Sequence, residues 1–424
     1  MVVTEITFIF ANMNKQASTS YPKEKINILF LENISDKAIA QFKQNGYVNV
    51  RKLTGALSEE DLIREIKDVH LIGIRSKTRI TSKVLEAAKK LQAIGCFCIG
   101  VNQVDLKAAT KAGVVVFNAP YSNTRSVAEL VIGASILLIR RIPDKNKAAH
   151  EGIWMKDAKG SYELRGKTLG IVGYGNIGSQ LSVLAEALGM KVRFYDTETK
   201  LPLGNAEAAK SLKELVANSD IISLHVPDTT LTRNLINKNV IKNFKKGSIL
   251  INYARGEVVD LKALSVAIQE GDIKGAAIDV YPWEPEKNGD RFESPMQGLP
   301  NVILTPHIGG STEEAQENIG EDVSLKLFQY LERGITNGSH TVPAIGLPPV
   351  EGSHRILHIH NNVPGVLSAI NTALSKNNIN IVGQYLKTND EIGYVVLDID
   401  KKLSRQALEL LRGVKETIKV RMLY

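Results

Sequence analysis

The sequence predicts an α/β protein with two doubly wound parallel-sheet domains and a smaller C-terminal βαββαβ domain. Three observations lead to this fold class. Short apolar runs alternate with amphipathic segments over most of the chain, which is typical of parallel sheets covered by helices on both faces. A glycine-rich turn links a strand to a helix in the middle of the chain. A stretch rich in Gly and Pro, without periodicity, precedes the last domain.

Length and composition narrow the class of protein further. A chain of 424 residues is too long for one hydrophobic core, so two or three domains are expected. The net charge of +8 comes from Lys and Arg spread along the chain, which argues against nucleic-acid binding and favours anionic substrates. No apolar stretch has the length of a membrane span, so no membrane association is expected. Cys96 and Cys98 are expected to be buried reduced thiols of a cytoplasmic protein, not a metal site or a disulfide.

The first, substrate-binding domain is predicted to comprise residues 25–122 and, after the chain returns, 312–333. Residues 1–24 have an apolar run but no basic leader or cleavage site, so a disordered extension is expected and not a signal peptide. Ser58 and Asp61 resemble a capping box that opens a helix. The other predicted elements are strands 25–31, 48–53, 70–75, 91–95 and 114–118 and helices 35–44, 82–90 and 104–112.

The second domain, residues 123–311, contains the most informative motif of the chain. A buried strand over 169–172 leads into 173–178, which reads G-x-G-x-x-G, and a helix follows. In such a turn the glycines allow a tight bend, close approach of a pyrophosphate and close helix packing, and the helix N-terminus offers N–H groups to phosphates. The next strand ends at Asp196, whose carboxylate can bind both ribose hydroxyls and would repel a 2′-phosphate. The pattern therefore predicts a Rossmann-like unit that binds NAD and not NADP.

The rest of the second domain repeats the alternation of strand and helix. Its predicted elements are helices 126–141, 211–218, 235–241 and 261–270 and strands 191–195, 221–226, 248–253, 274–280 and 302–305. Ser311, with Glu314 three residues later, is expected to cap a helix that runs to Glu332 and returns to the first domain.

The last part of the chain is predicted to be a linker followed by a small domain. Residues 334–353 are rich in Gly and Pro and lack periodicity. Residues 354–424 carry predicted strands 356–360, 379–388, 393–399 and 417–423 and helices 366–376 and 404–413. Their order, βαββαβ, is ferredoxin-like.

Four polar residues follow strands of the second domain, at the sheet edge where open α/β sheets bind ligands. Arg255 can hold a substrate carboxylate with two hydrogen bonds and polarise the neighbouring carbonyl. His307 suits proton exchange near neutral pH, and a carboxylate beside it, Glu284, would raise its pKa and fix its tautomer. Asp279 could fix a nicotinamide carboxamide. The spacing leaves open whether Glu284 touches His307, and a surface arginine or a structural histidine is the alternative for each residue taken alone.

Several segments together resemble one family. The most specific are Ile74-Arg-Ser-Lys77, Gly173–Gly178, Ala254-Arg-Gly256, Ala277-Ile-Asp-Val280 and Thr305–Thr312. On these, residues 25–424 resemble the D-2-hydroxyacid dehydrogenase family, in the form that carries a C-terminal ACT regulatory domain. The resemblance implies that Arg255, Glu284 and His307 form the catalytic group.

The same resemblance implies the ligand-binding residues. For NAD they are Gly173, Gly175, Asn176, Ile177, Gly178, Asp196, Tyr253, Ala254, Arg255, Asp279, His307, Ile308, Gly309 and Gly310. For the substrate they are Arg75, Ser76, Lys77, Asn123, Gln316 and Lys156, with Arg75, Lys77 and Lys156 as partners of a phosphate. For an L-serine effector they are His360, Asn362 and Asn380. Trp154 matches a tryptophan that packs into a neighbouring subunit, in a family that is commonly homotetrameric.

Two positions depart from the bacterial serine-sensitive pattern. The linker reads Glu351-Gly-Ser353 where Gly-Gly is usual, and Asn361 replaces an acid. Both bear on the strength of serine inhibition and not on catalysis.

The function implied by the resemblance is NAD-dependent oxidation of 3-phospho-D-glycerate to 3-phosphohydroxypyruvate, which opens phosphorylated serine biosynthesis, with feedback by L-serine and a side activity on 2-oxoglutarate. Domain closure is expected to exclude water and align the reactants. One alternative is a dehydrogenase of lactate, glycerate or 2-hydroxyglutarate, against which Arg75, Lys77 and the effector-like tail argue. The other is an NAD-sensing, corepressor-like binding protein, against which the same tail argues.

Overall fold

The computed structural model describes residues 22–285 and 289–423. The chain divides into two compact units, one containing the residues up to Ser122 and from Gln316 onward, the other Asn123–Ala315. Of the extension predicted over 1–24, residues 1–21 lie outside the described residues. Residues 22–24 of the predicted extension belong to the fold, because Lys23 forms an ion pair with Glu332 and donates a hydrogen bond to the Asn45 carbonyl.

The first unit is built on a parallel five-stranded sheet of order β2-β1-β3-β4-β5. Helices cover both of its faces, since one apolar cluster joins α2, α3 and α4 to the sheet and another joins α1 to it. The Ser58 hydroxyl accepts a hydrogen bond from the Asp61 N–H, as the capping box predicts. The elements are β1 (Ile28–Phe30), α1 (Asp36–Gln44), β2 (Val50–Lys52), α2 (Glu59–Glu65), β3 (Leu71–Ile74), α3 (Ser82–Ala87), β4 (Ala93–Cys96), α4 (Leu106–Lys111) and β5 (Val115–Asn118).

The second unit is built on a parallel seven-stranded sheet of order β12-β11-β10-β9-β6-β7-β8. The strand order reverses between β6 and β9, and such a switch point is where open α/β sheets bind ligands. The elements are α5 (Thr124–Ile139), α6 (Ile142–His150), β6 (Thr168–Val172), α7 (Asn176–Ala187), β7 (Lys191–Tyr195), β8 (Glu207–Ala208), α8 (Leu212–Ala217), β9 (Ile221–Leu224), α9 (Lys238–Ile241), β10 (Ser248–Asn252), α10 (Leu261–Gln269), β11 (Ile273–Ile278) and β12 (Val302–Leu304).

The long helix predicted over 126–141 is present as α5, two residues earlier at each end. The helix stops at Ile139, and Arg141 takes a left-handed conformation with φ of 57°. A second helix, α6, starts directly after it with a proline in its first turn, a position where proline needs no N–H partner. The prediction did not include α6, because its sequence is mostly polar and lacks the apolar periodicity that indicates a helix.

The C-terminal segment forms an antiparallel sheet of order β14-β15-β13-β16, which confirms the ferredoxin-like fold. One face of this sheet shares an apolar core with the five-stranded sheet of the same unit, in which Leu357 and Ile359 are clustered with Phe328. Lys419 adds a hydrogen bond of 2.6 Å from its Nζ to the Leu91 carbonyl. The elements are β13 (Ser353–Asn361), α12 (Val366–Ser375), β14 (Ile381–Thr388), β15 (Ile392–Asp400), α13 (Ser404–Arg412) and β16 (Thr417–Leu423).

Helix α11 (Glu313–Arg333) and the segment after it complete the described chain. The prediction that Ser311 caps this helix is wrong, because the Ala315 N–H donates to the Thr312 hydroxyl while the Ser311 N–H is used in a turn with Ile308. The predicted linker also covers the edge strand β5, since the Val116 N–H donates to the Thr341 hydroxyl at 3.1 Å and the Val116 carbonyl accepts the His340 N–H at 2.9 Å.

No helix in the described part of the chain is long and apolar enough to cross a membrane.

Candidate active site

The turn between β6 and α7 has the geometry of a dinucleotide-binding loop. Gly173 has φ of 92°, and a Cβ there would lie 2.4 Å from the His225 carbonyl oxygen. A Cβ on Gly178 would lie 2.3 Å from the Gly173 carbonyl oxygen. At Gly175 a Cβ would meet no described atom within 4 Å. The first and third glycines are thus required by the protein itself, whereas the second leaves open space in which a pyrophosphate fits.

Asp196 follows β7 and is oriented by the same turn. Its Oδ2 accepts the Tyr174 N–H at 2.8 Å and its Oδ1 accepts the Glu198 N–H at 3.0 Å. Each carboxylate oxygen has further lone pairs, so both can still accept from ribose hydroxyls. The residues present therefore fit NAD, and contact between Asp196 and the ribose stays a prediction.

His307 and Glu284, whose contact the spacing left open, are hydrogen-bonded. His307 Nδ1 lies 2.8 Å from Glu284 Oε2, and the Tyr281 N–H donates to Glu284 Oε1 at 3.1 Å. Because a carboxylate only accepts, the proton is on Nδ1, and Nε2 is the nitrogen left for a reacting oxygen. The His307 side chain is 50% exposed and that of Glu284 35%, so the pair is accessible to a ligand.

The pair shifts both pKa values. The hydrogen bond and charge of Glu284 raise the pKa of His307 above its ordinary value, against the opposing effects of burial and of Arg255. Burial alone would raise the pKa of Glu284, but the hydrogen bond and charge of His307 outweigh it and the pKa of this carboxyl is lowered. At neutral pH the arrangement favours an ionised carboxylate that holds a histidine able to gain and lose a proton.

Asp279 holds the loop that carries His307. This carboxylate is 1% exposed, and it accepts the Thr305 hydroxyl, the Ile308 N–H at 2.8 Å and the Gly309 N–H at 2.7 Å. The Asp279 carbonyl accepts the His307 N–H, and His307 has φ of 55°, a left-handed conformation. We call this set of bonds the Asp279 anchor. The predicted contact of Asp279 with the nicotinamide stays a prediction, and the anchor is a second role that the motif did not indicate.

Arg255 follows β10 on a turn held by a buried amide. Asn252 Nδ2 donates to the Arg255 carbonyl at 3.0 Å, and Asn252 Oδ1 accepts the Ala254 N–H at 3.2 Å. Besides the larger effects of burial and of the bond between Glu284 and His307, the charge of Arg255 helps to lower the pKa of Glu284 and opposes part of the rise in the pKa of His307. Sequence reasoning missed Asn252; its only signal is a polar residue at the end of an apolar strand.

The predicted substrate residues are divided between the two units. Arg75, Ser76 and Lys77 follow β3 in the first unit, where Ser76 and Lys77 are exposed and Arg75 is half-buried. Gln316, on α11, belongs to the same unit. In the second unit Lys156 is exposed, and Asn123 lies so close to Gly310 that a Cβ on that glycine would be 1.9 Å from Asn123 Nδ2.

Two of the predicted effector residues, His360 and Asn362, lie at one end of the C-terminal sheet, whereas Asn380 precedes β14 at the opposite end, so this chain does not bring the three together. His360 is buried, and its Nδ1 donates to the Asn361 carbonyl at 2.7 Å. Its Nε2 has no hydrogen-bond partner among the described residues. Asn362 Nδ2 donates to the Asn389 carbonyl, and Asn380 is exposed. The orphaned Nε2 can accept a hydrogen bond from a polar ligand.

Comparisons with known proteins agree with this geometry. Residues 132–309 match the model of the D-isomer specific 2-hydroxyacid dehydrogenase NAD binding domain, and residues 356–419 match an AHAS small subunit-like ACT domain. The chain is 51% identical over 410 residues to D-3-phosphoglycerate dehydrogenase of Escherichia coli K12, covering 96% of this chain and 100% of that protein. It is 50% identical over 407 residues to the Dictyostelium discoideum protein of the same name, covering 96% and 99%.

A solved structure with the same fold is D-lactate dehydrogenase from Aquifex aeolicus in complex with NAD and lactic acid. It superposes with a TM-score of 0.65 at 28% identity, over 74% of this chain and 100% of that one.

Proposed function

This chain belongs to the D-3-phosphoglycerate dehydrogenases of the D-isomer specific 2-hydroxyacid dehydrogenase family, and we propose that it oxidises 3-phospho-D-glycerate to 3-phosphohydroxypyruvate with NAD. The observation that carries the chemistry is the hydrogen bond between His307 Nδ1 and Glu284 Oε2, at the strand ends of an NAD-binding sheet. The two relatives named D-3-phosphoglycerate dehydrogenase, each about 50% identical over almost the whole chain, support a phosphorylated substrate.

The residues of the catalytic group have different roles in this mechanism. Bound NAD supplies the acceptor for the hydride that leaves C2. Arg255 binds the substrate carboxylate with two hydrogen bonds and polarises the oxygen on C2. His307 takes the hydroxyl proton on Nε2 during oxidation and returns it during reduction, while Glu284 holds Nδ1–H and stabilises the imidazolium.

The substrate's phosphate requires positive charge. Arg75, Lys77 and Lys156 are the proposed phosphate partners, and Ser76, Asn123 and Gln316 the proposed polar contacts. An Arg pairs with phosphate in a bidentate way and a Lys as a point charge, so loss of either weakens phosphate binding more than it slows the chemistry.

Regulation by L-serine is proposed for the ACT domain. His360, Asn362 and Asn380 are the proposed contacts, and the proposal is supported by His360 Nε2, for which the described part of the chain offers no hydrogen-bond partner. Allosteric coupling of this kind is typically about 1–3 kcal/mol.

A homotetramer is proposed as the working assembly. Trp154 is 85% exposed, and its neighbours Ile153 and Met155 are also exposed. A group of exposed large apolar side chains is typical of a subunit contact. Light scattering should give about four times the 46.5 kDa chain mass; a monomer mass would contradict the proposal.

A cytoplasmic location is proposed, and the two unpaired thiols Cys96 and Cys98 support it.

The direct test is an NADH assay of the purified chain. Absorbance should fall when 3-phosphohydroxypyruvate is added, and L-serine should slow the reaction. Pyruvate, hydroxypyruvate and 2-oxoglutarate form the substrate panel, with D-lactate, D-glycerate and 2-hydroxyglutarate for the reverse direction. If a substrate without phosphate has the highest kcat/KM, the substrate proposal is wrong, and if serine has no effect at millimolar concentration, the effector proposal is wrong.

A further inference from the structure

A buried glutamate lies behind the loop that carries Arg75 and Lys77. Glu32 is 8% exposed, and its Oε1 accepts the N–H groups of Arg75 at 3.1 Å and Thr78 at 2.8 Å. Its Oε2 accepts the N–H of Lys77 at 2.9 Å. Three N–H groups of the loop 75–78 thus converge on one carboxylate, and nothing in the sequence motifs pointed to this residue.

The bonds to Glu32 decide which way the loop faces. Because the N–H groups of residues 75, 77 and 78 turn inward, the side chains of Ser76 and Lys77 project into solvent, while Thr78 is buried. Hydrogen bonds from N–H groups to an ionised carboxylate are stronger than those to a neutral acceptor. Without the carboxylate these N–H groups would lack partners in a buried place, and the loop would rearrange to satisfy them.

A second buried side chain holds the opposite side of the same loop. Gln103 Nε2 donates to the Arg75 carbonyl at 2.7 Å, and more weakly to the Gly100 carbonyl at 3.3 Å. Arg75 is therefore held by its N–H on Glu32 and by its carbonyl on Gln103. A backbone fixed from both sides restricts where its guanidinium can reach.

The fold explains how Glu32 reaches this loop. Strands β1 and β3 are parallel neighbours, so the residues that follow them meet at one edge of the sheet. The chain turns sharply after β1, with Glu32 and Asn33 at φ of 58° and 52°. Two consecutive non-glycine residues in the left-handed region are unusual and persist only where the surroundings hold them. Here the turn directs the carboxylate across to the loop after β3.

We propose that Glu32 is a positioning residue for phosphate recognition: its carboxylate fixes the loop 75–78 so that Arg75 and Lys77 are preorganised to bind the phosphate of the substrate. The role rests on the proposed function, because it assumes that these two cations bind that phosphate. Glu32 itself does not touch substrate. Its loss should therefore weaken binding of a phosphorylated substrate and spare both NADH binding and the chemistry on an unphosphorylated one.

The first experiment compares Glu32→Gln with the wild type on two substrates. We expect KM for 3-phosphohydroxypyruvate to rise at least tenfold, with kcat for that substrate, kcat/KM for hydroxypyruvate and Kd for NADH all within about twofold. The matched control is Glu60→Gln, the same change at an exposed position of α2 in the same unit, which should match the wild type. A protein that is merely less folded would lose kcat on both substrates without a change in KM, and that result would overturn the proposal.

Hydrogen exchange adds a readout of the loop itself. Amides 75, 77 and 78 should exchange faster in Glu32→Gln than in the wild type, with the rest of the sheet unchanged. If Glu32→Gln does not fold, Glu32→Asp replaces it, since the carboxylate is kept but is one methylene too short to reach all three N–H groups. Unchanged exchange together with unchanged KM in a folded variant contradicts the proposal.

A double variant separates this inference from the proposed function. Lys77→Met alone should raise KM for 3-phosphohydroxypyruvate, and adding Glu32→Gln should then raise it by clearly less than Glu32→Gln does alone, because the two changes act on one interaction. If Lys77→Met has no effect and the wild type does not prefer the phosphorylated substrate, the proposed function fails. If Lys77→Met raises KM but Glu32→Gln does not, only the role of Glu32 fails.

Discussion

The loop after β3 in the first unit and the loop after β12 in the second are held by the same kind of device. Each is anchored by a buried carboxylate that follows the neighbouring parallel strand, Glu32 after β1 and Asp279 after β11. Each carboxylate accepts three hydrogen bonds from the loop it holds. The parallel sheet makes this possible because adjacent strands end at one edge.

The two anchoring carboxylates differ in the length of their side chains and in the loop that each one holds. Asp279, directly at the end of its strand, holds the loop that carries the proton-transfer residue His307. Glu32 is two residues past its strand and reaches a loop whose charged side chains are proposed to bind substrate. The same kind of anchoring carboxylate can therefore affect different kinetic constants, depending on the loop that it holds. Loss of the Asp279 anchor should reduce kcat, and loss of Glu32 should raise KM.

The largest expected effect follows from Asp279→Asn. One amide oxygen cannot replace two carboxylate oxygens, so one of the loop N–H groups would face an NH₂ and the loop carrying His307 would shift. A displacement of about 1 Å in a catalytic group can cost about a hundredfold, so we expect kcat to fall about 10²-fold or more with KM for 3-phosphohydroxypyruvate little changed. Steady-state kinetics with NADH measures both.

The control for that prediction is Asp272→Asn, at an exposed position of the same unit, which should behave as the wild type. A rise in KM without a fall in kcat would contradict the proposal that Asp279 affects kcat and Glu32 affects KM. His307→Ala provides the reference: if the anchor acts through His307, Asp279→Asn should cost little more in the His307→Ala background.

A smaller effect, but one with a distinct signature, is expected from Glu284→Gln. The amide oxygen can keep accepting from Nδ1–H at the cost of the bond from the Tyr281 N–H, and we expect kcat at the optimum to fall about tenfold, less than the full contribution of acid–base catalysis. The pH profile should move. Reduction needs a protonated His307, so the rate is lost as pH rises through its pKa, and Glu284 raises that pKa.

The descending limb of kcat/KM for reduction should therefore lie at lower pH in Glu284→Gln than in the wild type, and so should the ascending limb for oxidation. The profile of Glu270→Gln, an exposed glutamate after α10, should coincide with that of the wild type. A limb that stays in place would mean that another group sets the pH dependence.

Much of this molecule is determined by local sequence. The alternation of apolar and amphipathic segments predicted both parallel sheets, because each strand and helix buries one recognisable face. The glycine motif predicted the NAD turn, since Gly173 and Gly178 stand where no other residue fits. Helix α6 and the cap of α11 were not predicted, because α6 lacks apolar periodicity and competing hydrogen bonds decide the cap.

The tertiary structure alone decided which side chains meet. Glu284 and His307 are brought together only when β11 and β12 pair, and the spacing along the chain says nothing of a 2.8 Å contact. Glu32 had no motif at all, because its partners are backbone N–H groups, which every residue but proline offers. Sequence motifs identify residues whose side chains act directly in a site. A carboxylate that accepts hydrogen bonds from the backbone of a distant loop can be identified only in the folded structure, because the sheet must first place the two strand ends side by side.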